Sequence, residues 1–282
     1  MGNRPFIPVS KGAFMTDPCP NRFQDFFENE KYVTLKKFLY NYILRKYAVE
    51  EVMRDEKKDL VLEIGSGISP VFTSWDRIVY SDVSLSAMNM LKKMLGKGQF
   101  VVADAANLPF EDHSFSHVIA SEVLEHLADD QSALREISRV LKPDGVLVIT
   151  FPHRRFYFSY DDRFVKHYRR YEISDMVTRL KESGLDPVAI GKVLGPLEKI
   201  TTLAVTACAS IAEKLKTRRD SSAVYREPED AFITLFKWGN RVYAALVWLD
   251  ALIMPRALST VLLIKAKKIP NEIHERSVTG PN

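Results

Sequence analysis

The feature that most restricts the fold is a short apolar run ending in an acid and two closely spaced glycines. It reads Leu60-Val61-Leu62, then Glu63-Ile64-Gly65-Ser66-Gly67. An apolar run with β-branched content, bounded by turn residues, predicts a buried strand that stops at a tight turn. Glycine suits such a turn because the backbone bends sharply there, and a ligand can approach where a Cβ would block it. In open α/β sheets, ligands sit outside the carboxyl ends of the strands, where this turn falls. A dinucleotide fingerprint wants a third glycine three residues after the second. Pro70 holds that position, so a nicotinamide cofactor is not expected.

The same pattern recurs downstream. Arg77 to Asp82 reads as a second strand ending in an acid, and Ser84 caps a helix that Gly96 stops. A third strand, Gln99 to Ala103, ends at Asp104. Asn107 to Asp112 is turn chemistry. A fourth strand, Phe115 to Ala120, ends at Ser121-Glu122. A helix over 131–141 and a turn at Lys142-Pro143-Asp144-Gly145 lead into a fifth strand, Val146 to Phe151. Ser174 to Ser183 reads as a helix, and Leu185 to Leu194 as a sixth strand. Alternating strands and helices predict a parallel sheet with right-handed crossovers. Three acids at three successive strand ends lie on the ligand side.

The flanks differ. Residues 1–20 carry four prolines and no periodicity, and read as a flexible arm. Residues 21–58 form an N-terminal helical cap, with aromatics at three- and four-residue steps. The cap either packs on the sheet or acts as a lid whose rings shield a cation. Residues 59–194 make the Rossmann-like domain. Residues 195–258 are an amphipathic helical insertion whose second helix, 230–254, is interrupted near Gly239-Asn240. Residues 259–267 are the last strand, and 268–282 a tail.

A chain of 282 residues with 46% hydrophobic content suits one domain with an appendage. Its net charge of +4 is mild and spread along the chain, so no nucleic-acid partner is expected. Cys19 and Cys208 form no disulfide framework, which fits a reducing cytoplasm. The chain start carries no apolar secretory core. Phe6 stands where a myristoylation signal wants Ser or Thr.

In its ordered series of motifs the chain resembles the class I S-adenosylmethionine (SAM)-dependent methyltransferases, close to the large type 11 group. The resemblance covers residues 59–152 well and the flanks loosely. It implies an α/β, Rossmann-like, seven-stranded mixed sheet in the order 3-2-1-4-5-7-6. Glu63, Gly65, Ser66 and Gly67 match the methionine-binding turn, with Ser69 replacing a commonly found third glycine. Asp82, with Val83 after it, matches the acid that holds both ribose hydroxyls. Asp104-Ala105 matches the pair that reads the adenine edge. Ser121-Glu122-Val123-Leu124-Glu125-His126 matches the segment beneath the cofactor. The segment from Asp162 to Tyr171, with His167-Tyr168-Arg169-Arg170, resembles members encoded beside glycan and lipid-carrier genes.

The reaction so implied is in-line attack of an acceptor O, N or C on a sulfonium methyl. Alignment alone supplies ~7–11 kcal/mol of such a barrier. A hydroxyl acceptor needs a base, for which His126, His153 and His167 are candidates. Tyr157, Tyr168, Arg169 and Arg170 are candidate acceptor contacts, the arginines gripping phosphate or carboxylate. The alternative for the two arginines is helix capping and pairing with nearby acids. No metal-ligand spacing is visible, so no metal is expected. The acceptor expected is a small amphiphile: a lipid, isoprenoid, quinone or lipid-linked sugar. The alternatives are a protein or soluble metabolite, or a SAM-binding interaction protein without turnover. The insertion is expected to lie on the inner membrane face, to cover the acceptor, or to join two subunits. Its Trp238 and Trp248 suit headgroup depth, with Lys237 and Arg241 near anionic lipid.

Overall fold

The computed structural model describes residues 36–204 and 230–270. The expected arm, the first part of the cap, the insertion from 205 to 229 and the tail from 271 lie outside the described residues. Seven strands form one sheet: β1 (Val61–Ile64), β2 (Ile78–Asp82), β3 (Gln99–Val102), β4 (Phe115–Ser121), β5 (Leu141–Pro152), β6 (Leu185–Leu194) and β7 (Val261–Lys268). Their order is β3-β2-β1-β4-β5-β7-β6, the order the resemblance implies. The first five run parallel, and β7 is antiparallel to both β5 and β6.

Both faces of the sheet are buried, each by a different set of helices. Leu62, Ile64, Val118 and Ala120 face α3 (Asp130–Val140) and α5 (Ile173–Glu182) through Leu134, Ile137, Met176 and Leu180. Val61, Ile119 and Val148 face the other way, toward α1 (Tyr40–Met53), α2 (Leu85–Leu95) and α7 (Asp230–Ile253). This is why β1 reads as a continuous apolar run rather than an alternating one. The short α4 (Tyr160–Phe164) follows β5, and a helix α6 begins at 196 and continues to 204.

The helix ends follow local chemistry. Ser84 Oγ accepts the Ala87 N–H at 3.2 Å, and Gly96 closes α2 at φ +65°. Asp129 accepts the Ser132 N–H at the start of α3. Glu172 and Asp175 form a capping box on α5.

Three expectations need correction. The turn at Lys142–Gly145 is an irregularity inside β5, which starts at Leu141 and carries Asp144 at φ +60°. Helix α7 is continuous through Gly239-Asn240. The Asn240 side chain donates back to the Phe236 carbonyl at 3.1 Å, and Gly239 is exposed, where a missing side chain costs little packing. The strand–helix alternation also fails twice, since β3 passes to β4 through 103–114 with no helix. No helix joins β1 to β2; the connection is irregular from Gly65 to Arg77.

Candidate functional site

The glycine turn and the strand-end acids converge at the carboxyl edge of the sheet. Gly65 lies at φ +65°, and a Cβ there would come within 2.5 Å of Val123 Cγ2. The turn after β1 is thus pressed against the segment after β4, and only glycine satisfies both the angle and the contact. Ser66 is buried and donates its N–H to the Ser81 carbonyl at 3.1 Å.

Glu63 lies beneath this turn and is turned into the protein. Its two carboxylate oxygens accept the N–H groups of Val71 (2.7 Å) and Phe72 (3.1 Å). Burial raises its pKa to about 7, opposed by those two hydrogen bonds. The acid fixes the irregular β1–β2 connection and has no oxygen facing a ligand. Its role is to hold the turn, not to touch what the turn binds.

Asp82 ties the turn to the end of β2. One oxygen accepts the Gly67 N–H at 3.0 Å and the other the Ser84 N–H at 2.8 Å. Burial raises its pKa, while these bonds and the charge of Lys36 oppose the rise. Lys36 shares this environment: burial first, then Arg45, lowers its pKa to about 8. A carboxylate has about four acceptor sites, so each oxygen of Asp82 keeps one for a ligand hydroxyl. Val83 beside it is half-buried. Asp104 is exposed at the end of β3, with one oxygen accepting the Ala106 N–H at 2.9 Å; Ala105 is buried. Ser121 Oγ pairs with Thr150 Oγ1 at 2.8 Å. Glu122 follows at φ +55°, held there by its N–H to the Thr150 carbonyl. A non-glycine residue in that region is strained, and such residues cluster at functional sites.

The segment after β5 departs from expectation. Arg170 is only 7% exposed. Its Nε donates to Asp162 at 2.8 Å, and the guanidinium lies over the carbonyls of His153 and Thr260. It holds the segment in place and is not free to grip an acceptor. Arg169 donates to the Ala128 carbonyl at 2.8 Å and pairs with Asp130 at 3.1 Å. The pairing alternative describes both arginines. Tyr157 donates its hydroxyl to the Leu258 carbonyl, and Tyr168 is half exposed. Tyr168 and Arg169 line a pocket of ≈ 300 Å³ with Arg155, Phe158 and Arg179.

The three histidines separate. His153 is buried, its Nδ1 is 2.9 Å from the Ser259 carbonyl, and burial lowers its pKa. It sits between β5 and β7 as a structural residue. His126 and His167 lie together, ring centroids 4.6 Å apart. Between β4 and α3 they meet Glu125, which has no exposed surface. Glu125 was visible in the sequence only as part of a motif. Burial, then the charge of Glu122, raises its pKa well above the carboxylate range. Asp162, on the far side of His167, is held well below that range by His167 and Arg170 against the cost of burial.

With this geometry in view, comparison with known proteins is informative. Residues 62–149 match the family model described as a methyltransferase domain. A demethylmenaquinone methyltransferase of Thermotoga maritima is 33% identical over 128 residues, 43% of this chain and 56% of its own. An uncharacterised protein of Methanocaldococcus jannaschii is 34% identical over 134 residues, 45% of this chain and 58% of its own. The chain therefore spans little more than half the length of these relatives. Among solved structures, the phosphoethanolamine N-methyltransferase 2 of Haemonchus contortus, in complex with SAM, superposes with a TM-score of 0.54 at 16% identity. That match covers 88% of this chain and 60% of the other. A Haloferax volcanii chain solved in the complex with the Trm112 methyltransferase activator gives 0.58 at 16% identity, covering 88% and 98%. The [4+2]-cyclase SpnF gives 0.51 at 19%, covering 79% of each chain. The fold is that of the class I methyltransferases.

Proposed function

We propose that the chain is a SAM-dependent methyltransferase acting on a small amphiphilic acceptor. The observation that carries the first half is Asp82. It locks the glycine turn through the Gly67 N–H and keeps acceptor capacity on both oxygens. A vicinal diol fits that capacity, and charge assistance strengthens both bonds. Bound SAM supplies a methyl group on a positively charged sulfur. The chain's own residues do the rest. Asp82 takes the ribose hydroxyls, Asp104 the adenine amine, and the Gly65-Ser66-Gly67 backbone the amino-acid end. Glu63 keeps that backbone in shape.

Two observations support the amphiphilic acceptor. The relative from Thermotoga maritima is named for a quinone substrate. Helix α7 also turns large apolar side chains outward, Trp238 at 65% and Ile253 at 68% exposure. A lipid, isoprenoid, quinone or lipid-linked sugar fits such a surface. Cytoplasmic placement with contact to a membrane face belongs to the same reading. No helix among the described residues is long and apolar enough to cross a membrane.

Calorimetry with SAM tests the cofactor half. Asp82→Ala should weaken binding at least tenfold with folding intact, and Gly65→Val should abolish it through the Val123 contact. Unchanged affinity in Asp82→Ala, or NADH binding by the wild type, overturns the reading. Mass spectrometry of lipid extracts incubated with labelled SAM tests the acceptor half. Methyl transfer only to soluble metabolites or protein would replace it.

A further inference from the structure

Glu125, His126 and His167 bring three donor atoms within 4.8 Å of one another. The group is assembled from two separate segments. Glu125 and His126 lie on the turn after β4, and His167 on the segment after α4. The Tyr168 N–H donates to the Glu125 carbonyl at 2.8 Å, which stitches the two together.

The hydrogen-bond pattern is unbalanced on one side of His167. Its Nδ1 is 2.9 Å from Asp162 Oδ1, and Asp162 is itself buried. That bond places the ring proton on Nδ1 and turns the Nε2 lone pair toward Glu125. The Glu125 Oε1 lies 3.8 Å from Nε2, too far for a hydrogen bond. Among the described residues neither carboxylate oxygen of Glu125 has a donor, although both are fully buried. The Glu125 carboxyl and the His167 Nε2 thus face each other without a hydrogen bond. Burial disfavours the ionised form of such a carboxyl, and a bound cation would restore it.

We infer that Glu125, His126 and His167 form a binding site for a divalent first-row transition ion such as Zn²⁺, Mn²⁺ or Co²⁺. Two imidazoles and one carboxylate are a donor set these ions favour, and three protein ligands leave positions open for an oxygen ligand. Bonds of about 2.0–2.2 Å place donors roughly 3.0–3.5 Å apart, so the cluster closes by about an ångström on binding. Asp162 completes the arrangement as the carboxylate that orients a ligating histidine through its other nitrogen. The strained Glu122, one residue past β4, adds negative charge beside the site.

The site stands on this geometry alone; its role rests on the proposed methyl transfer. A divalent ion there would acidify an acceptor hydroxyl. The O–H proton leaves to water. The electron pair left on oxygen forms the O–C bond while the methyl–sulfur bond breaks with its electrons going to sulfur.

The test uses the full chain, stripped with chelator and dialysed, then titrated with Co²⁺ and followed by visible absorption and calorimetry. One ion per chain is expected, with a raised thermal midpoint. His167→Ala, His126→Ala and Glu125→Gln should each weaken binding at least tenfold, and His113→Ala, far from the cluster, should not. Thermal midpoints in chelator report folding. Glu125→Gln keeps the volume of the side chain and guards against a loss due to unfolding. No saturable uptake of Co²⁺ or Mn²⁺, or uptake indifferent to all three substitutions, overturns the site. SAM calorimetry run in parallel separates the two readings. Metal binding without SAM binding keeps the site and removes the methyl-transfer role. SAM binding without metal binding removes the site and keeps the methyltransferase.

Discussion

Asp162 and Glu125 are both fully buried carboxylates, and they flank the same imidazole on opposite sides. The chain treats them in opposite ways. Asp162 is met by the His167 ring at 2.9 Å, by Arg170 at 2.8 Å, by the Ser159 N–H at 3.0 Å and by Lys199 at 3.3 Å. Asp130, further along the same edge, is met by Tyr171, Arg169 and Arg179. Among the described residues Glu125 has no donor on either oxygen. A buried network with every group satisfied rigidifies what it joins, whereas an unsatisfied one marks a place where something else is required. The arginines that looked like acceptor grips belong to the satisfied side. Arg170 holds Asp162 against His167, and Arg169 holds Asp130.

The largest expected effect separates these two carboxylates. Asp162→Ala removes the 2.8 Å partner of the buried Arg170, while Lys199 keeps Asp161 at 2.8 Å, and should cost about 3–5 kcal/mol of stability. Glu125→Gln replaces a carboxyl that burial keeps from ionising with a neutral amide of similar size, and in chelator should change stability by less than about 1 kcal/mol. Urea unfolding of both variants measures the difference. Equal losses would break the contrast and return Glu125 to an ordinary structural role.

Glu63 sharpens the same contrast from a third position, since it has backbone donors but no counter-charge. Its folded pKa, about 7, lies above the ordinary carboxylate value. The folded state therefore holds a proton that the unfolded state has already released. Stability from this group is full below about pH 4.5 and declines as pH rises through 7. The full decline is on the order of 3–4 kcal/mol, since one pKa unit corresponds to about 1.4 kcal/mol. Unfolding free energies measured from pH 4.5 to 8 should show this slope, and Glu63→Gln should flatten it. An unchanged slope in the variant would mean that the two amide bonds keep Glu63 ionised at neutral pH.

How much of this was legible in the sequence depends on range. The strands, their acids and the caps at Ser84 and Gly96 are local, each set by a few adjacent residues, and they stand where the sequence puts them except that β5 begins early, at Leu141. The strand order came through the resemblance and is observed. What was not legible is non-local. The fate of Arg170 depends on Asp162 and on carbonyls of His153 and Thr260, distant in sequence. The meeting of Glu125 with His167 depends on how the segment after β5 folds back, through one backbone bond from Tyr168. Adjacent Glu-His residues just past a strand on the ligand side were the available signal, and without the third donor they match no ligand spacing. Glu63 organises the connection after the glycine turn through the N–H groups of Val71 and Phe72, which no local pattern announces. In α7 the glycine suggested a break, but exposure made it harmless.

The smallest effect on stability is expected on α7, where the contrast is apolar rather than charged. Its inner face is made of small residues: Ala244, Val247 and Ala251 are buried against the sheet. The Tyr243 hydroxyl pairs with Thr201 on α6. Its outer face carries Leu235, Trp238, Leu246, Trp248, Leu249 and Ile253, all substantially exposed. The side chain of Phe232, expected on the same stripe, lies outside the described residues. Large apolar groups outside and alanines inside reverse the usual order for a helix held only by its own core. The Lys237 amine lies 4.5 Å over the Phe38 ring. Arg241 remains exposed and is the better charge probe. Trp238→Glu and Arg241→Glu should each change stability by less than about 0.5 kcal/mol, since neither side chain is buried. Each should nevertheless reduce sedimentation with vesicles containing anionic lipid, by several-fold at low salt, because apolar insertion and surface charge act together. Wild-type protein that stays in the supernatant, with a concentration-dependent dimer lost in Trp238→Glu, would assign this face to a second subunit instead.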